Sequence, residues 1–312
     1  MKIVVTGAAG FIGSHLCEHL LASGDHEVIG VDAFVREELQ IIGNKNIEGF
    51  YNHPNFQMIT ANILDIDWHK TLENADIVYH LAGIPGVRSS WGADFRSYVD
   101  TNILGTQRLL EACSSLALQK FVFASTSSVY GETTGQVSED RKLAPLAPYG
   151  ISKLTGEHLC RVYSDRVPIV ILRYFTVYGP RQRSDMAFHR FIRQLLHNDP
   201  ITLIGDGSQS RDFTYIKDCV EATAAIVNAA NVIGETINIG GKERATVTNV
   251  IQSLELLTGK QANIIQSGMM HGEPMHTWAD ISKANKLLNY EPKISLMTGL
   301  AREVEYLSHY YK

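Results

Sequence analysis

A glycine-spaced turn near the N-terminus constrains the fold more than any other part of the sequence. In "KIVVTGAAGFIGSHLCEHLL", an apolar run is followed by Gly7, Gly10 and Gly13 and then by an amphipathic run. This order predicts a β-strand, a tight turn whose backbone can approach a pyrophosphate, and an α-helix whose first N–H groups face the phosphates. The glycines could also build a tight turn and nothing more, so a second signal is needed.

The second signal is an acid at the end of the next apolar run. Asp32 follows "EVIGV", about 20 residues after the turn, where a carboxylate accepts hydrogen bonds from the ribose hydroxyls of a dinucleotide. Its negative charge repels a 2′-phosphate, which favours NAD over NADP. Asp32 could instead cap a loop without binding a nucleotide, and Arg36 could attract the 2′-phosphate of NADP. We predict an NAD site.

Six short apolar runs alternate with segments of helical length, namely "KIVVT", "EVIGV", "FQMIT", "DIVYHLA", "KFVFAS" and "IVILRYF". Strands separated by helices imply right-handed crossovers and a parallel sheet covered on both faces. The pattern predicts an α/β fold with a Rossmann-type doubly wound parallel sheet. Because the regularity weakens after Tyr178, we expect an NAD-binding Rossmann domain over 1–175, with a return of about 211–240, and a smaller C-terminal α/β substrate domain over 176–312.

Composition and charge exclude several classes of protein. The net charge of −5 is spread over intermixed signs, without the basic stripe that nucleic acid or an anionic membrane requires. No apolar run reaches the roughly 20 residues that cross a bilayer, and the N-terminus lacks a signal-peptide core. The four cysteines and the histidines, His80 among them, lie at no metal-binding spacing, so they are interpreted as packing or surface residues and no metal site is predicted. We expect a cytoplasmic protein.

A tyrosine and a lysine four residues apart predict a catalytic pair. In "YGISK", Tyr149 and Lys153 share one face of a helix that we expect to begin near Pro148. A lysine ammonium favours the phenolate, and the positive nicotinamide ring acts in the same direction. The pKa of Tyr149 is therefore expected to fall from about 10 towards working pH, which makes it a general base for a substrate hydroxyl. This spacing is common on protein surfaces, and the dinucleotide turn gives it weight.

The motifs in their order resemble the extended short-chain dehydrogenase/reductases, specifically the NAD-dependent nucleotide-sugar epimerases and dehydratases. The resemblance covers essentially the whole chain through "TGAAGFIG", "YHLAGIPGV", "STSSVYG", "YGISK", "RYFTVYGPRQR", "RDFTYIKD" and "ADISKANKLLNYEP". It implies tightly held NAD, a UDP-sugar substrate, and a nucleotide-sugar-binding role for the domain over 176–312. It further implies a homodimer formed by the helices that flank the catalytic tyrosine.

The resemblance also implies individual contacts. It places Thr126 or a neighbouring residue on the reacting sugar hydroxyl, and Lys153 on the nicotinamide ribose as well as beside Tyr149. Other cofactor contacts are implied at the pyrophosphate, near the adenine and along the cofactor, by Phe11 and Ile12, by Asn62 and Ile63, and by Leu81, Ala82 and Gly83 respectively. The family often has Asp where Asn62 stands, which weakens only the adenine contact.

The hydroxyl-rich stretch "FVFASTSSVYG" distinguishes between reactions of this family. Ser125 is interpreted as a cap on local backbone. Dehydratases of the family resemble one another in carrying Asp-Glu directly after the catalytic Thr, and UDP-glucuronate decarboxylases carry Glu at the second position; this chain has Ser127 and Ser128. Dehydration is therefore disfavoured, and decarboxylation less strongly. Epimerisation remains, in which C4 is oxidised, the 4-keto sugar rotates, and the hydride returns to its opposite face.

Two further stretches bear on the sugar. Neutral-sugar 4-epimerases usually read "FNVYGP", whereas this chain has Thr176 in "FTVYGP", and both "RQRSDMAFHR" and "IPGVRSSW" are similar to glucuronate 4-epimerases. Arg183 could hold a C6 carboxylate bidentately, with Ser127, Ser128 and Thr176 around it. A clamped carboxylate is kept from the alignment in which a β-keto acid loses CO2. Arg183 could instead pair with Asp185 at the surface.

The resemblance implies three more substrate contacts. Arg88 is one candidate, although an ordinary loop arginine would look the same; Arg211 in "SRDFTYIKD" resembles the arginine at the nucleotide diphosphate, and Glu273 in "GEP" the acid at the uridine ribose. Many relatives have Arg-Pro-Gly-Asp where this chain has Met270-His271-Gly272-Glu273. One diphosphate contact is therefore expected to be missing or supplied from elsewhere.

These features together predict reversible C4 epimerisation of UDP-glucuronate to UDP-galacturonate through a transient 4-keto intermediate. The nearest alternative is a neutral-sugar 4-epimerase acting on UDP-glucose or UDP-N-acetylglucosamine, followed by a UDP-glucuronate decarboxylase. From other classes, the chain could be a net reductase that releases NAD each turn, or a non-catalytic NAD-binding regulator. The set of Tyr149, Lys153 and Thr126 argues against a regulator, because sensing needs no base beside nicotinamide.

Overall fold

A seven-stranded parallel sheet forms the centre of the molecule in the computed structural model, which describes residues 1–35, 37–268 and 272–311. The strands are β1 Lys2–Thr6, β2 Glu27–Asp32, β3 Phe56–Thr60, β4 Ile77–His80, β5 Lys120–Thr126, β6 Ile169–Tyr174, β7 Val177–Tyr178, β8 Ile201–Ile204, β9 Ser210–Tyr215, β10 Thr236–Ile239, β11 Glu243–Thr246 and β12 Ile264–Ser267. The large sheet has the order β10-β6-β5-β4-β1-β2-β3. The six predicted apolar runs form β1 to β6, and the predicted doubly wound α/β fold is confirmed.

Helices connect the strands and cover both faces of the sheet. They are α1 Phe11–Ala22, α2 Glu37–Ile47, α3 Trp68–Thr71, α4 Phe95–Tyr98, α5 Thr106–Cys113, α6 Pro148–Val162, α7 Ala187–His197, α8 Ile216–Ala225, α9 Val247–Thr258, α10 Ser282–Leu288 and α11 Leu296–Tyr310. A π-helix, Val99–Gly105, joins α4 to α5. Ile3 and Val5 share a buried cluster with Leu16 of α1, whereas Val4 belongs to the opposite cluster with Leu109 of α5. This alternation places one apolar layer on each face.

The strand order reverses beside β1, because the chain leaves β3 at one edge of the sheet and re-enters as β4 on the other side of β1. Connections after β1 and β4 therefore diverge and leave a crevice at the carboxyl ends of these strands, where open α/β sheets bind ligands. The turn after β1, the loop after β4 and the end of β5 all open towards this crevice.

The later part of the chain adds two small sheets and returns once to the large one. The small sheets have the orders β11-β9-β7 and β12-β8, while β10 pairs in parallel with β6 at the edge of the large sheet. Helix α8 packs against α1. All four cysteines are buried with free thiols. Within the described ranges, no helix combines the length and the apolar character needed to cross a membrane.

Candidate active site

One cavity of about 750 Å³ brings the predicted site residues together. It extends from the glycine turn, past the ends of β4 and β5, to the segments around β8 and β9. Every predicted cofactor, catalytic and substrate residue lines it, namely Gly7, Gly10, Phe11, Ile12, Gly13, Asp32, Asn62, Ile63, Leu81, Ala82, Gly83, Arg88, Thr126, Ser127, Ser128, Tyr149, Lys153, Thr176, Arg183, Arg211 and Glu273. Residues from across the sequence therefore meet at one site.

The glycine turn is too tight for side chains. Gly7 adopts φ +74°, and a Cβ there would lie 2.8 Å from the backbone nitrogen of Ala82. A Cβ on Gly13 would lie 2.0 Å from the carbonyl oxygen of Gly7, so the first turn of α1 packs directly on the loop. No side chain caps α1 at Gly10. The first N–H groups of α1 can therefore meet an anion such as a pyrophosphate.

The carboxylate of Asp32 lies beside this turn. Its Oδ2 accepts a hydrogen bond from Ala9 N at 3.1 Å and its Oδ1 from Phe34 N at 3.0 Å. Burial raises the pKa of Asp32, and the backbone donors oppose that rise. Asp32 therefore caps its own loop, as the alternative interpretation held, and it also lines the cavity. Arg36, which argued for NADP, lies outside the described residues.

Arg181 is a cavity residue that the sequence motifs did not indicate. Its NH2 pairs with Glu18 of α1 at 2.8 Å, whereas its buried NH1 has no hydrogen-bond partner among the described residues. Leaving such a donor unpaired in the interior is costly. Because Arg181 lines the cavity, an anionic group of a bound dinucleotide would satisfy it. The glycine turn, Asp32 and Arg181 together fit NAD.

The predicted adenine residues differ in what their side chains can offer. Asn62 is exposed, and its Oδ1 accepts a hydrogen bond from Leu64 N at 2.9 Å. Ile63 is buried and packs closely against Gly105, where a Cβ would lie 2.8 Å from it. The side-chain oxygen of Asn62 is therefore already bonded within its own loop. Ile63 supplies the apolar wall at this end of the cavity.

Helix α6 carries the predicted catalytic pair. It begins at Pro148, as expected, because proline suits the first helical position, where no N–H is needed. Lys153 is buried, and its Nζ lies 4.3 Å from the centre of the Phe123 ring. Burial lowers the pKa of Lys153 to about 8. The ammonium is therefore held in an apolar setting beside the cavity.

The expected lowering of the Tyr149 pKa is wrong for the polypeptide alone. Burial raises the pKa of Tyr149, and a hydrogen bond with Thr126 and the charge of Arg183 act in the opposite direction without overcoming it. Lys153 is not among the groups that shift the pKa of Tyr149 in the polypeptide, and its ammonium lies over the Phe123 ring instead. Sequence spacing placed Tyr149 and Lys153 on one helix face correctly but could not give the depth at which the phenol is buried.

The hydroxyls at the end of β5 have separate partners. Thr126 Oγ1 donates to Ser128 Oγ at 3.2 Å and accepts from Ser128 N at 3.2 Å, and Ser127 lines the cavity next to them. The interpretation of Ser125 as a local backbone cap is wrong, because Ser125 Oγ donates to Glu157 Oε1 at 2.5 Å. All four residues line the cavity, but the hydroxyl of Ser125 is already bonded to the buried Glu157.

That buried network is a second feature that sequence analysis missed. Arg173 of β6 donates from Nε to Glu157 Oε1 at 2.9 Å and from NH2 to Oε2 at 2.7 Å. Both side chains are almost completely excluded from solvent. The acid lies four residues after Lys153 on the same helix face, and this spacing was the available signal. The pair attaches α6, which carries the predicted catalytic residues, to β6 of the large sheet.

Arg183 is paired with Asp185 in this structure. Its Nε and NH2 donate to the two carboxylate oxygens at 2.9 and 2.7 Å. This pairing is the alternative to a substrate contact that the sequence leaves open. The guanidinium nevertheless lines the cavity and lies near enough to Tyr149 to lower the pKa of that phenol. Both partners therefore belong to the site.

Glu273 joins two of the predicted substrate arginines. Its Oε1 accepts from Arg88 Nε at 2.8 Å and its Oε2 from Arg211 NH2 at 3.3 Å. Three residues predicted from separate stretches thus form one cluster at the substrate end of the cavity. Met270 and His271, which replace part of the family pattern, lie outside the described residues. Among the described residues, no group of three metal-ligating side chains is found.

Comparison with known proteins agrees with this site. The family model of the NAD dependent epimerase/dehydratase family matches residues 3–240. An uncharacterized UDP-glucose epimerase of Bacillus subtilis is 55% identical, over 100% of this chain and 99% of that protein. A UDP-glucuronate 4-epimerase of Thermodesulfobacterium geofontis is 39% identical, over 97% of this chain and 95% of that protein.

A solved structure is similar over the whole chain. UDP-glucuronic acid 4-epimerase from Bacillus cereus, in complex with UDP-glucuronic acid and NAD, superimposes with a TM-score of 0.98 at 54% identity. The alignment covers 100% of both chains. The similarity therefore includes every element that lines the cavity.

Proposed function

The chain belongs to the NAD-dependent epimerase/dehydratase family, and from that premise we propose that it catalyses the reversible C4 epimerisation of UDP-glucuronate to UDP-galacturonate. The observation that carries the proposal is the hydroxyl set at the end of β5. Thr126 hydrogen-bonds with Tyr149, and Ser127 and Ser128 line the cavity where related dehydratases and decarboxylases carry acids. Such a site can form a 4-keto sugar without acting further on it.

The residues of α6 and β5 move the proton of the reacting hydroxyl. Bound NAD supplies a hydride acceptor and donor together with a positive nicotinamide ring. Tyr149 takes the proton from O4 and later returns it, while Thr126 orients the same hydroxyl. The Lys153 ammonium lies beside the cavity and would bind the nicotinamide ribose of the cofactor. Since the polypeptide alone raises the pKa of Tyr149, the charge of the ring is needed to make this base effective.

The C6 carboxylate is held by the remaining hydroxyls. Ser127, Ser128 and Thr176 line the same cavity and can donate to a carboxylate, and Arg183 lies close to Tyr149. A 4-keto uronate is a β-keto acid, which loses CO2 when the bond to the carboxylate aligns with the carbonyl π system. A carboxylate that is held out of that alignment is retained while the sugar is in its 4-keto form.

A neutral-sugar 4-epimerase is the second candidate, favoured by one observation. The Arg183 charge is already met by Asp185 at 2.7 Å, so the site does not require a carboxylate to balance it. The Bacillus subtilis relative is named a UDP-glucose epimerase. A decarboxylase is a third and weaker candidate, because Ser128 lacks the acid of that class.

Side-by-side turnover of UDP-glucuronate, UDP-glucose and UDP-N-acetylglucosamine, without added cofactor, tests the proposal. We expect UDP-galacturonate as the product, with no UDP-pentose and no net NADH. Faster turnover of a neutral sugar would replace the proposal with the second candidate, and UDP-pentose would indicate a decarboxylase. In a separate assay with added NADH and a keto sugar, stoichiometric NADH consumption would indicate a reductase. Absence of any turnover with NAD bound would favour a regulator.

Domain roles, assembly and location complete the proposal. Residues 1–175, with the return over 211–240, hold NAD, and 176–312 hold the nucleotide sugar. The chain forms a homodimer through the helices that flank Tyr149, supported by the exposed apolar side chains of Leu104, Ile151 and Val162. The net charge of −5 and the absence of long apolar runs in the sequence support a cytoplasmic location.

A further inference from the structure

His80, the last residue of β4, is a buried polar side chain to which the reaction assigns no role. Its ring is completely excluded from solvent and packs between Phe121 and Phe123, with ring centres 6.1 and 5.8 Å away. Both ring nitrogens nevertheless have hydroxyl partners. Nδ1 lies 2.8 Å from Thr6 Oγ1, and Nε2 lies 2.9 Å from Thr106 Oγ1.

The neighbouring bonds determine where the imidazole proton lies. The hydroxyl of Thr106 donates to the carbonyl oxygen of Asn102 at 2.7 Å, so its oxygen must accept from Nε2–H. The oxygen of Thr6 accepts from Ala82 N at 3.1 Å, which leaves its own proton for Nδ1. Burial lowers the pKa of His80 to about 3, and the charge of Lys153 acts in the same direction. The ring is therefore neutral, with its proton on Nε2.

The two ends of this hydrogen-bond chain reach the cofactor loop and the catalytic helix. At one end, Ala82 belongs to the loop after β4 that lines the cavity. At the other end, Asn102 accepts from Ile84 N at 2.7 Å and donates to Ile84 O and to Ser152 Oγ, both at 3.0 Å. Ser152 in turn donates to the carbonyl oxygen of Tyr149 at 2.8 Å.

The π-helix brings Asn102 into this position. Asn102 lies at the middle of the segment Val99–Gly105 and is buried. The fit against the loop is close, because a Cβ on Gly83 would lie 3.1 Å from Asn102 Oδ1 and 3.9 Å from Lys153 Nζ. Single-turn π segments occur frequently at functional sites. A displacement of Asn102 would therefore move the loop relative to both catalytic side chains.

We propose that His80 is a positioning residue for the hydride and proton transfers. Through Thr6 it fixes the loop that begins at Leu81, and through Thr106 and Asn102 it fixes the same loop against the helix that carries Tyr149 and Lys153. It touches neither substrate nor cofactor and acts only through these residues. This inference rests on the proposed function only through the activity assay, and any UDP-sugar that the wild-type enzyme turns over serves equally well in that assay.

Three variants of the NAD-loaded full-length enzyme test this role. His80→Phe keeps a ring of similar size and removes both hydrogen bonds. Thr106→Val keeps the branched shape but loses the hydroxyl, and Thr106→Ser keeps the hydroxyl as the matched control. We expect kcat per NAD-loaded site to fall about ten- to hundredfold in the first two variants. The KM for the UDP-sugar should stay within about twofold, because the sugar-nucleotide contacts lie elsewhere, and Thr106→Ser should retain near wild-type kcat.

A solely structural role would lower the melting temperature and the NAD-loaded fraction but leave kcat per loaded site unchanged. That result in both His80→Phe and Thr106→Val would overturn the proposal. A second measurement does not depend on the activity of any variant. It is nitrogen NMR of the histidine-labelled wild-type protein, with His80→Phe used to assign the His80 signals. We expect a neutral ring protonated on Nε2 from pH 5 to pH 9, and a proton on Nδ1 or a charged ring would contradict the inferred hydrogen-bond chain.

Discussion

Arg183 and Asp185 place a tunable charge beside the catalytic phenol. Arg183 lowers the pKa of Tyr149. In the proposed mechanism the phenolate is the active form, so activity should rise with pH through the titration of Tyr149. Replacing Arg183 with Ala removes the stabilising charge, raises the pKa of Tyr149 and shifts the acid limb of the kcat profile to higher pH. We also expect kcat/KM on UDP-glucuronate to fall roughly tenfold or more, from the loss of a charged hydrogen bond.

Asp185→Asn provides the opposite perturbation at the same ion pair. The guanidinium of Arg183 would lose its partner at 2.7 Å, and its charge would act more strongly on Tyr149. The acid limb should therefore move to lower pH. Profiles of both variants that shift in the same direction would show that Arg183 does not influence the base.

Ser128 marks the position where a carboxylate would change the outcome of the reaction. Its hydroxyl lies 3.2 Å from Thr126 Oγ1, next to the site of oxidation. We expect Ser128→Glu to release UDP-pentose from UDP-glucuronate and to lower epimerisation roughly tenfold or more, because like charges repel the C6 carboxylate. Product chromatography with Ser128→Gln as the uncharged control would detect this. Equal product ratios in Ser128→Glu and Ser128→Gln would show that a negative charge at this position does not direct the outcome of the reaction.

Among the elements, α1 packs closely on the glycine turn that we expect to hold the cofactor. Gly13→Ala would place a Cβ 2.0 Å from Gly7 O, so the helix must move away from the turn. Overpacking of this kind costs roughly 1–3 kcal/mol, and we expect NAD affinity to fall about tenfold or more. Gly49→Ala is the control, because no atom lies within 4 Å of a Cβ there. Calorimetric titration of NAD should distinguish the two variants.

Helix α11 contains a buried acid that makes stability depend on pH. Burial raises the pKa of Glu303 well above its ordinary value, opposed by a backbone contact from Gly179, and no cation pairs with it in the described parts of the chain. The folded state thus holds a proton that the unfolded state releases above about pH 4.3. Stability therefore falls as pH rises above that value.

Glu303→Gln removes this proton linkage. The amide cannot ionise, so the variant should gain stability relative to the wild type as pH increases, with the smallest difference near pH 4 to 5. Urea unfolding at pH 5, 7 and 9 would measure the effect. A stability difference that is the same at all three values would mean that Glu303 is charged in the folded protein.

At the scale of the whole molecule, the proposed dimer can be tested through exposed apolar side chains. Ile151 on α6, one of the exposed apolar side chains of the proposed interface, is 47% exposed. We expect Ile151→Glu to shift the sedimentation mass from dimer to monomer. Ile41→Glu on α2, where the side chain is 65% exposed, should leave the mass unchanged. A wild-type monomer would contradict the proposed assembly directly.

The sequence predicted those parts of the molecule that follow from local pattern. Strands β1 to β6 carry continuous apolar runs, and the glycine turn and the Tyr149–Lys153 spacing depend on residues that are close in sequence. Gly7, Asp32 and Thr126 were placed at the cavity because they lie at the carboxyl ends of parallel strands, which the topology brings together. Substrate contacts such as Arg211 and Glu273 followed only from the family resemblance.

The missing features depend on pairs that the fold creates. Ser125 bonds to Glu157, 32 residues away, and Arg173 reaches the same acid from a neighbouring strand. The π-helix that places Asn102 has no distinct pattern of apolar residues. The raised pKa of Tyr149 depends on burial depth, which no spacing rule provides. In each case the decisive quantity is a tertiary distance.

The late arrival of β10 at the sheet has a consequence for biosynthesis. β6 is buried along its whole length, and its outer neighbour is Thr236–Ile239, about sixty residues further along the chain. A ribosome adding about 5 to 20 residues per second needs roughly 3 to 12 s to make that segment. During this interval β6 is an unpaired apolar edge that a neighbouring nascent chain can join. Slow codons between positions 175 and 235 should therefore reduce the soluble yield more than slow codons placed after position 240.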